Sequence, residues 1–274
     1  VKRAGPRLPR IAVFGDDLRD ALRGGWGDST EPGFVSGKPG LDRNVRFGVV
    51  GATAHSQVGF DSSGDSPVAY GGHSAETINY VSCHDDLSLV DKLRASAPEG
   101  MTEEELVRFD KLAQTVVLTA QGIPSIFAGE EMLRTKGGVS NSHDSPDRVN
   151  RIDWSFKADH KDVFDYYRGL IALRRTHPAF RLATAAEIKR HLRFLDTGDT
   201  HVVAYRLVDH AGDDPWREIL VVYNGARAEK RVRIPPGDWH AVCLDGRIAS
   251  EALAVFTGNS VPVPASSALI AYRP

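Results

Sequence analysis

Cysteine is scarce. The chain holds two in 274 residues, Cys83 and Cys243, far apart and not at metal-ligand spacing. That argues against a disulfide framework or a cysteine-based metal cluster, and both are expected to be buried free thiols. Neither sign of charge is in excess: 34 Lys and Arg stand against 36 Asp and Glu, for a net charge of −2. Nucleic acid and an anionic membrane therefore have no electrostatic case as partners. Long apolar runs are missing too, since none approaches the ~20 residues of a membrane span. The opening Val1-Lys2-Arg3-Ala4-Gly5-Pro6 is not a signal peptide. It lacks an initiating Met and is basic and Pro-rich, as expected of a chain cut within a longer protein. Compartment stays open.

What is present is an ordinary globular composition, 41% hydrophobic and 26% charged. The length suggests roughly two domains at about 150 residues each. Residues 78–93 organise the rest. They read as an apolar strand that stops at His84-Asp85-Asp86 and turns into a helix. In parallel α/β architectures, ligand chemistry collects at the carboxyl ends of strands. There a His beside an Asp can grip a neutral, hydroxyl-rich ligand, the imidazole donating or accepting and the carboxylate accepting twice or more. The plainer role is capping, and at least one of Asp85 and Asp86 is expected to N-cap the helix.

Along the chain, residues 10–15 form a strand and 16–24 a short helix ending at Gly24. Residues 24–75 are rich in Gly, Ser, Asp and Pro, with one helix expected around 42–57. Thr102-Glu103-Glu104-Glu105 is a capping box. It opens a long amphipathic helix with Leu106, Phe109, Leu112, Ala113, Val116, Val117 and Ala120 on one face, ended by Gly122 and Pro124. Residues 123–128 form another strand, tipped by Gly129-Glu130-Glu131. A polar loop fills 133–154, and a helix over 162–176 presents Val163, Tyr166, Leu170 and Ile171. Strand followed by helix, three times over with polar residues after each strand, is the grammar of a parallel βα barrel. From residue 187 the rhythm changes to short β-type runs, at 191–195, 201–208, 218–223, 231–234, 239–244 and 268–272, split by turn residues, which predicts an antiparallel sandwich. The boundary falls near 181–187.

Three blocks carry a resemblance. They are Asn79-Tyr80-Val81 with His84-Asp85 and residues 89–93; residues 120–131 with 133–136; and Asn141-Ser142 with Ser145-Pro146-Asp147, Asn150 and Asp153-Trp154. At matching order and spacing they are similar to type I pullulanases, α-1,6-glucan debranching enzymes of the α-amylase family of glycoside hydrolases. The opening strand and helix and Gly33-Phe34-Val35-Ser36-Gly37 are similar to the same family. The resemblance implies strands six to eight of a (β/α)8 TIM barrel over 1–183 and a C-terminal β-sandwich over 184–274. Such enzymes use a nucleophilic Asp, an acid/base Glu and a third Asp that stabilises the oxocarbenium-like transition state. The resemblance makes Asp85 that third Asp, with His84 on sugar hydroxyls in the same subsite. It gives Asp147 and Arg151 the next sugar on the non-reducing side, with Asn150 and Asn141 as further candidates.

The nucleophile and acid/base belong to strands four and five, which on this resemblance lie before Val1. The chain alone is then expected to be inactive, because losing either group costs orders of magnitude in rate. Asp16, Asp17, Glu130 and Glu131 follow strands but stand where the family has neither group. Glu130 and Glu131 are expected to pair with Arg134 and Lys136 at a rim, and Asp147 with Arg151 in a local ion pair. Trp154 and Trp239 are expected in the core, with Trp26 and Tyr70 as aromatics able to stack on sugars. The sequence departs from the family at Ser82, Cys83 and Asp86. No cofactor or metal is indicated, and calcium is left open for the parent.

Other readings are an isoamylase-type or other α-amylase-family hydrolase, a non-catalytic glucan-binding fragment, and a metal-dependent phosphohydrolase using His84 and Asp85. Expected partners are an α-glucan and either the other half of the barrel or a second copy. Three strands alone leave unpaired edges and an apolar face.

Overall fold

Three short strands lie side by side in parallel: β1 (Val13–Phe14), β2 (Thr77–Asn79) and β3 (Ile123–Pro124), with β2 in the middle. The computed structural model describes residues 11–59 and 69–274, so Arg10 and the Pro-rich opening fall outside them. Phe14 pairs with Ile78 and Ile78 with Ile123. Because side chains alternate across a strand, these three form one row on one face, where Phe14 is 48% and Ile123 42% exposed. Thr77 and Asn79 point to the other, buried side. The strands are shorter than the runs at 10–15 and 123–128 that predicted them.

Helices follow the strands. They are α1 (Asp16–Arg23), α2 (Asp42–Val49), α3 (Leu89–Ala95), α4 (Glu103–Thr119), α5 (Asp147–Asn150), α6 (Phe156–Asp159), α7 (Lys161–Thr176) and α8 (Ala185–His191). The α4 box forms as read: Thr102 Oγ1 accepts from Glu105 N at 3.2 Å, and Glu105 Oε2 accepts from Thr102 N at 3.1 Å. At the far end, buried Arg174 of α7 donates to the carbonyls of Leu118 and Ala120 at 2.9 and 2.8 Å, satisfying the last turn. Gly122 then reverses the chain at φ +122°, where a Cβ would sit 2.8 Å from Asn79 Nδ2. Both facts require glycine. On α7, Tyr167 is buried and donates to Asp110 of α4 at 2.8 Å, whereas Ile171, placed on the inner face by spacing, is 39% exposed.

The second half is antiparallel. Its strands are β4 (Leu192–Leu195), β5 (Val202–Leu207), β6 (Glu218–Asn224), β7 (Lys230–Arg233), β8 (Trp239–Leu244), β9 (Arg247–Ile248), β10 (Ala254–Phe256), β11 (Ser260–Val263) and β12 (Ser267–Arg273). One sheet runs β10-β8-β12-β6-β5-β4, with β9 on β8, and β7 pairs β11 in a second, small sheet. Val202, Ala204, Leu220, Val222, Leu269 and Ala271 face that small sheet and form one core with Val232, Val261 and Val263. The alternate residues, Val203, Tyr205, Val221, Tyr223 and Ile270, join the core of the helices. The large sheet is thus covered on both faces. Tyr205 Oη donates to the Thr119 carbonyl at 3.0 Å, tying it to the end of α4.

Three expectations fail here. The β-rich part does not begin at residue 187: Thr184 caps α8 through Glu187 N at 3.2 Å, and the first strand starts at Leu192. Trp154 is 66% exposed, not packed, while Trp239 is fully buried as expected. The helix expected over 42–57 stops at Val49.

Candidate functional site

The chain leaves β2 through buried Tyr80, Val81 and Ser82, and then half-buried Cys83 leads to exposed His84 and Asp85. Two buried cations fix this segment from behind. Arg23 of α1 pairs with Asp86 at 2.7 Å and donates to the Leu87 carbonyl at 3.0 Å. Lys136 Nζ donates to the His84 carbonyl at 2.9 Å. Asp86 sits at φ +60°, a left-handed turn that Asp tolerates. Neither aspartate caps α3. That role belongs to Ser88, whose Oγ accepts from Asp91 N at 3.4 Å and donates to Asp91 Oδ2 at 2.8 Å. Asp91 then accepts from Lys136 N at 2.7 Å and from the Thr135 hydroxyl, locking residues 135–136 to α3.

Cys83 is not the buried thiol expected from sequence. It donates to Asp85 Oδ1 at 2.5 Å. That bond, with the nearby His84 ring, holds the Asp85 carboxyl below its usual range. Partial burial, reinforced by the carboxylate, pushes the Cys83 thiol up to about 11. Asp85 is therefore a charged acceptor at neutral pH, presented to solvent.

Glu130 does not pair with Arg134 or Lys136 at a rim. It is 2% exposed and accepts from Gln114 Nε2 and Phe127 N, both at 3.0 Å, and from the Ser82 hydroxyl. One carboxyl thus joins α4, the loop after β3 and the residue next to Cys83. Burial raises it to about 8 against the opposing donation from Ser82. Glu131 accepts from Gly129 N at 2.9 Å. Arg134 lies over the Phe127 ring at 4.9 Å and donates to the carbonyls of Ala128, at 2.9 Å, and Asn150.

Asp147 opens α5 and Arg151 closes it, Arg151 N donating to the Asp147 carbonyl at 2.7 Å. Their side chains do not pair with each other as expected. Arg151 reaches Asp153 instead, at 3.7 Å. Among the described residues the exposed Asp147 carboxylate has no hydrogen-bond or ion-pair partner. Asn150 Nδ2 donates to the carbonyls of Ser142, at 2.5 Å, and Ser145, at 3.2 Å, so its amide nitrogen shapes the loop. Asn141 is exposed beside it. Arg151 shares a cleft of about 350 Å³ with Lys136, Arg134, Arg148 and Phe156. Residues 133–139 therefore bridge the two candidate segments: Lys136 holds the backbone of His84, and Arg134 holds Asn150. Trp26 is exposed in a separate cleft with Asp16 and Asp17, and Tyr70 is buried.

Sequence reasoning missed the holders, Arg23, Lys136, Glu130 and Ser88. Only Ser88 had a local signal, its spacing from Asp91. The others reach residues 82–87 across 48 residues or more, from 48 between Ser82 and Glu130 to 64 between Arg23 and Leu87.

The fold and site define a parallel strand-and-helix unit with its polar residues on the segments after the strands, backed by an antiparallel sandwich. Residues 188–247 match the family model described as "Pullulanase, all-beta domain". The chain is 36% identical to the pullulanase of Bacillus subtilis (strain 168) over 84% of its length, covering 30% of that protein. It is similar in structure to the pullulanase of Bacillus acidopullulyticus, with a TM-score of 0.87 and 41% identity over 96% of this chain and 30% of that one. The type I pullulanase of Bacillus subtilis strain 168 complexed with maltose gives a TM-score of 0.90 at 31% identity, over 100% of this chain and 37% of that one. The chain matches a C-terminal portion of type I pullulanases. It spans about a third of the length of these relatives.

Proposed function

We propose that the chain is the part of an α-1,6-glucan debranching hydrolase that holds the substrate and supplies the third carboxylate. His84 and Asp85, exposed side by side beyond a parallel strand, with Lys136 on the His84 carbonyl and Arg23 on the Asp86 carboxylate just after them, carry this reading. Asp85 accepts hydrogen bonds from the hydroxyls of the distorted sugar, and its fixed charge lies where positive charge develops on the ring, so it binds the transition state more tightly than the ground state. His84 orients the same sugar. Asp147 and Arg151 take the next sugar, with Asn141 and the free oxygen of Asn150 beside them. The nucleophile and the acid/base come from barrel strands outside these 274 residues, which also cover the row Phe14, Ile78 and Ile123. The maltose complex of a relative supports the ligand class.

The test is release of reducing ends from pullulan by the chain alone and after mixing with a separately produced upstream segment. Silence alone and activity on mixing are expected. Activity of the isolated chain would reassign the nucleophile and acid to Asp16, Asp17, Glu130 or Glu131. Maltotriose that shifts no nuclear magnetic resonance signal of His84, Asp85, Asp147 or Arg151 would remove the glucan reading altogether.

A further inference from the structure

We propose that Cys83, His84 and Asp85 form a binding site for a borderline-soft divalent cation, with Zn²⁺ as the best fit. Each residue offers one ligand atom, and the three atoms lie within 4.8 Å of one another. Tetrahedral zinc with bonds of about 2.0–2.3 Å places its ligand atoms roughly 3.3–3.8 Å apart, so side-chain rotations of about 1 Å bring the three to bonding positions. Cys83 Sγ and Asp85 Oδ1, hydrogen-bonded at 2.5 Å, move apart as the metal replaces the thiol proton between them. The His84 ring is exposed and, among the described residues, has no hydrogen-bond partner to give up.

The backbone of the segment is fixed in advance. Lys136 holds the His84 carbonyl, and Arg23 holds Asp86 and the Leu87 carbonyl, so little ordering accompanies binding. These two cations oppose a dication electrostatically. A thiolate and a carboxylate together carry the two negative charges that neutralise it. Binding breaks the Cys83 S–H bond, forms a metal–sulfur bond and releases the proton to solvent. The fourth position faces water, an open rather than a closed zinc site. Sulfur and imidazole nitrogen select Zn²⁺ over Ca²⁺ and Mg²⁺, which favour all-oxygen ligands. The proposal stands on donor geometry and does not depend on the glucan reading, and no glucan enters its test.

Co²⁺ is the spectroscopic probe. Titrated into the reduced 274-residue chain, it is expected to give a thiolate-to-cobalt charge-transfer band in the near ultraviolet that saturates stoichiometrically and is bleached by Zn²⁺ but not by Ca²⁺ or Mg²⁺. Cys83→Ser should abolish the band, while Cys243→Ser leaves it intact. Loss of a residue that merely supports a metal ligand weakens binding about 10–100-fold. Zn²⁺ affinity, measured against a chromogenic chelator, should therefore fall by more than that in Cys83→Ser and in His84→Ala. Far-ultraviolet dichroism checks the fold of each variant. Absence of the band in the unaltered chain, its persistence in Cys83→Ser, or equal Zn²⁺ affinity in both would overturn the assignment.

Discussion

Burial of Glu130 gives the chain a pH dependence of known sign. Its carboxyl moves from 4.5 to about 8, and that of Asp110, buried on α4, from 3.8 to about 7. Burial is the largest cause in both. Between these limits the folded chain keeps protons that the unfolded chain releases, so their contribution to stability is full below about pH 4 and declines as pH rises toward about 8. Urea midpoints of Glu130→Gln, which mimics the protonated form, should fall less between pH 5 and pH 8 than those of the parent sequence. Glu130→Ala should instead cost about 1–3 kcal/mol for each buried donor left unpaired, among Ser82, Gln114 and Phe127 N. For Asp85, exchange to Asn in the reconstituted enzyme should lower turnover of pullulan about 10²–10³-fold, as loss of a preorganised charge partner does; an unchanged rate would remove it from the machinery. At this scale the sequence was half readable. His84 and Asp85 stand out because charge interrupts an apolar run, but nothing local says that Glu130 turns inward while Glu131 stays partly exposed.

Elements were legible where both partners of a contact lie within a few residues. The box at Thr102 and Glu105 forms as spaced, and Thr102→Ala should lower stability by about 1 kcal/mol in urea unfolding. The same spacing at Thr184 and Glu187 was overlooked because β-type runs follow it, and α8 buries only Ile188, too little for a periodic signal. The antiparallel strands were easier to read. The run at 201–208 became β5, Val202–Leu207, and that at 218–223 became β6, Glu218–Asn224, since turn residues bound each on both sides. The partners β7 and β11 are less equal: the first was read near 231–234, while the second was missed because Pro262 interrupts it. Pro inside a run marks an edge strand, and β11 pairs on one side only.

At the scale of the molecule, one face of the parallel sheet carries the row Phe14, Ile78 and Ile123 partly open to water. Unpaired edges and apolar faces favour association. Sedimentation should show the average mass of the isolated chain rising with concentration, and Phe14→Lys should shift it toward monomer. A monomer at all concentrations, with or without the substitution, would contradict this. An open apolar face was expected of three strands alone, whereas the second cover of the large sheet was not visible in the sequence, since alternation along β5, β6 and β12 is lost when both faces are apolar.

That double cover also sets how the chain opens. A sheet packed between helices on one side and β7 and β11 on the other has no outer layer that can lift away and leave its hydrogen bonds wet. The amide protons of Val221, Tyr223 and Ile270 should therefore exchange with deuterium only through unfolding of the whole chain, at a free energy equal to its global stability. Helices and sandwich are then one cooperative unit, and a protease that nicks the loops would not release either half.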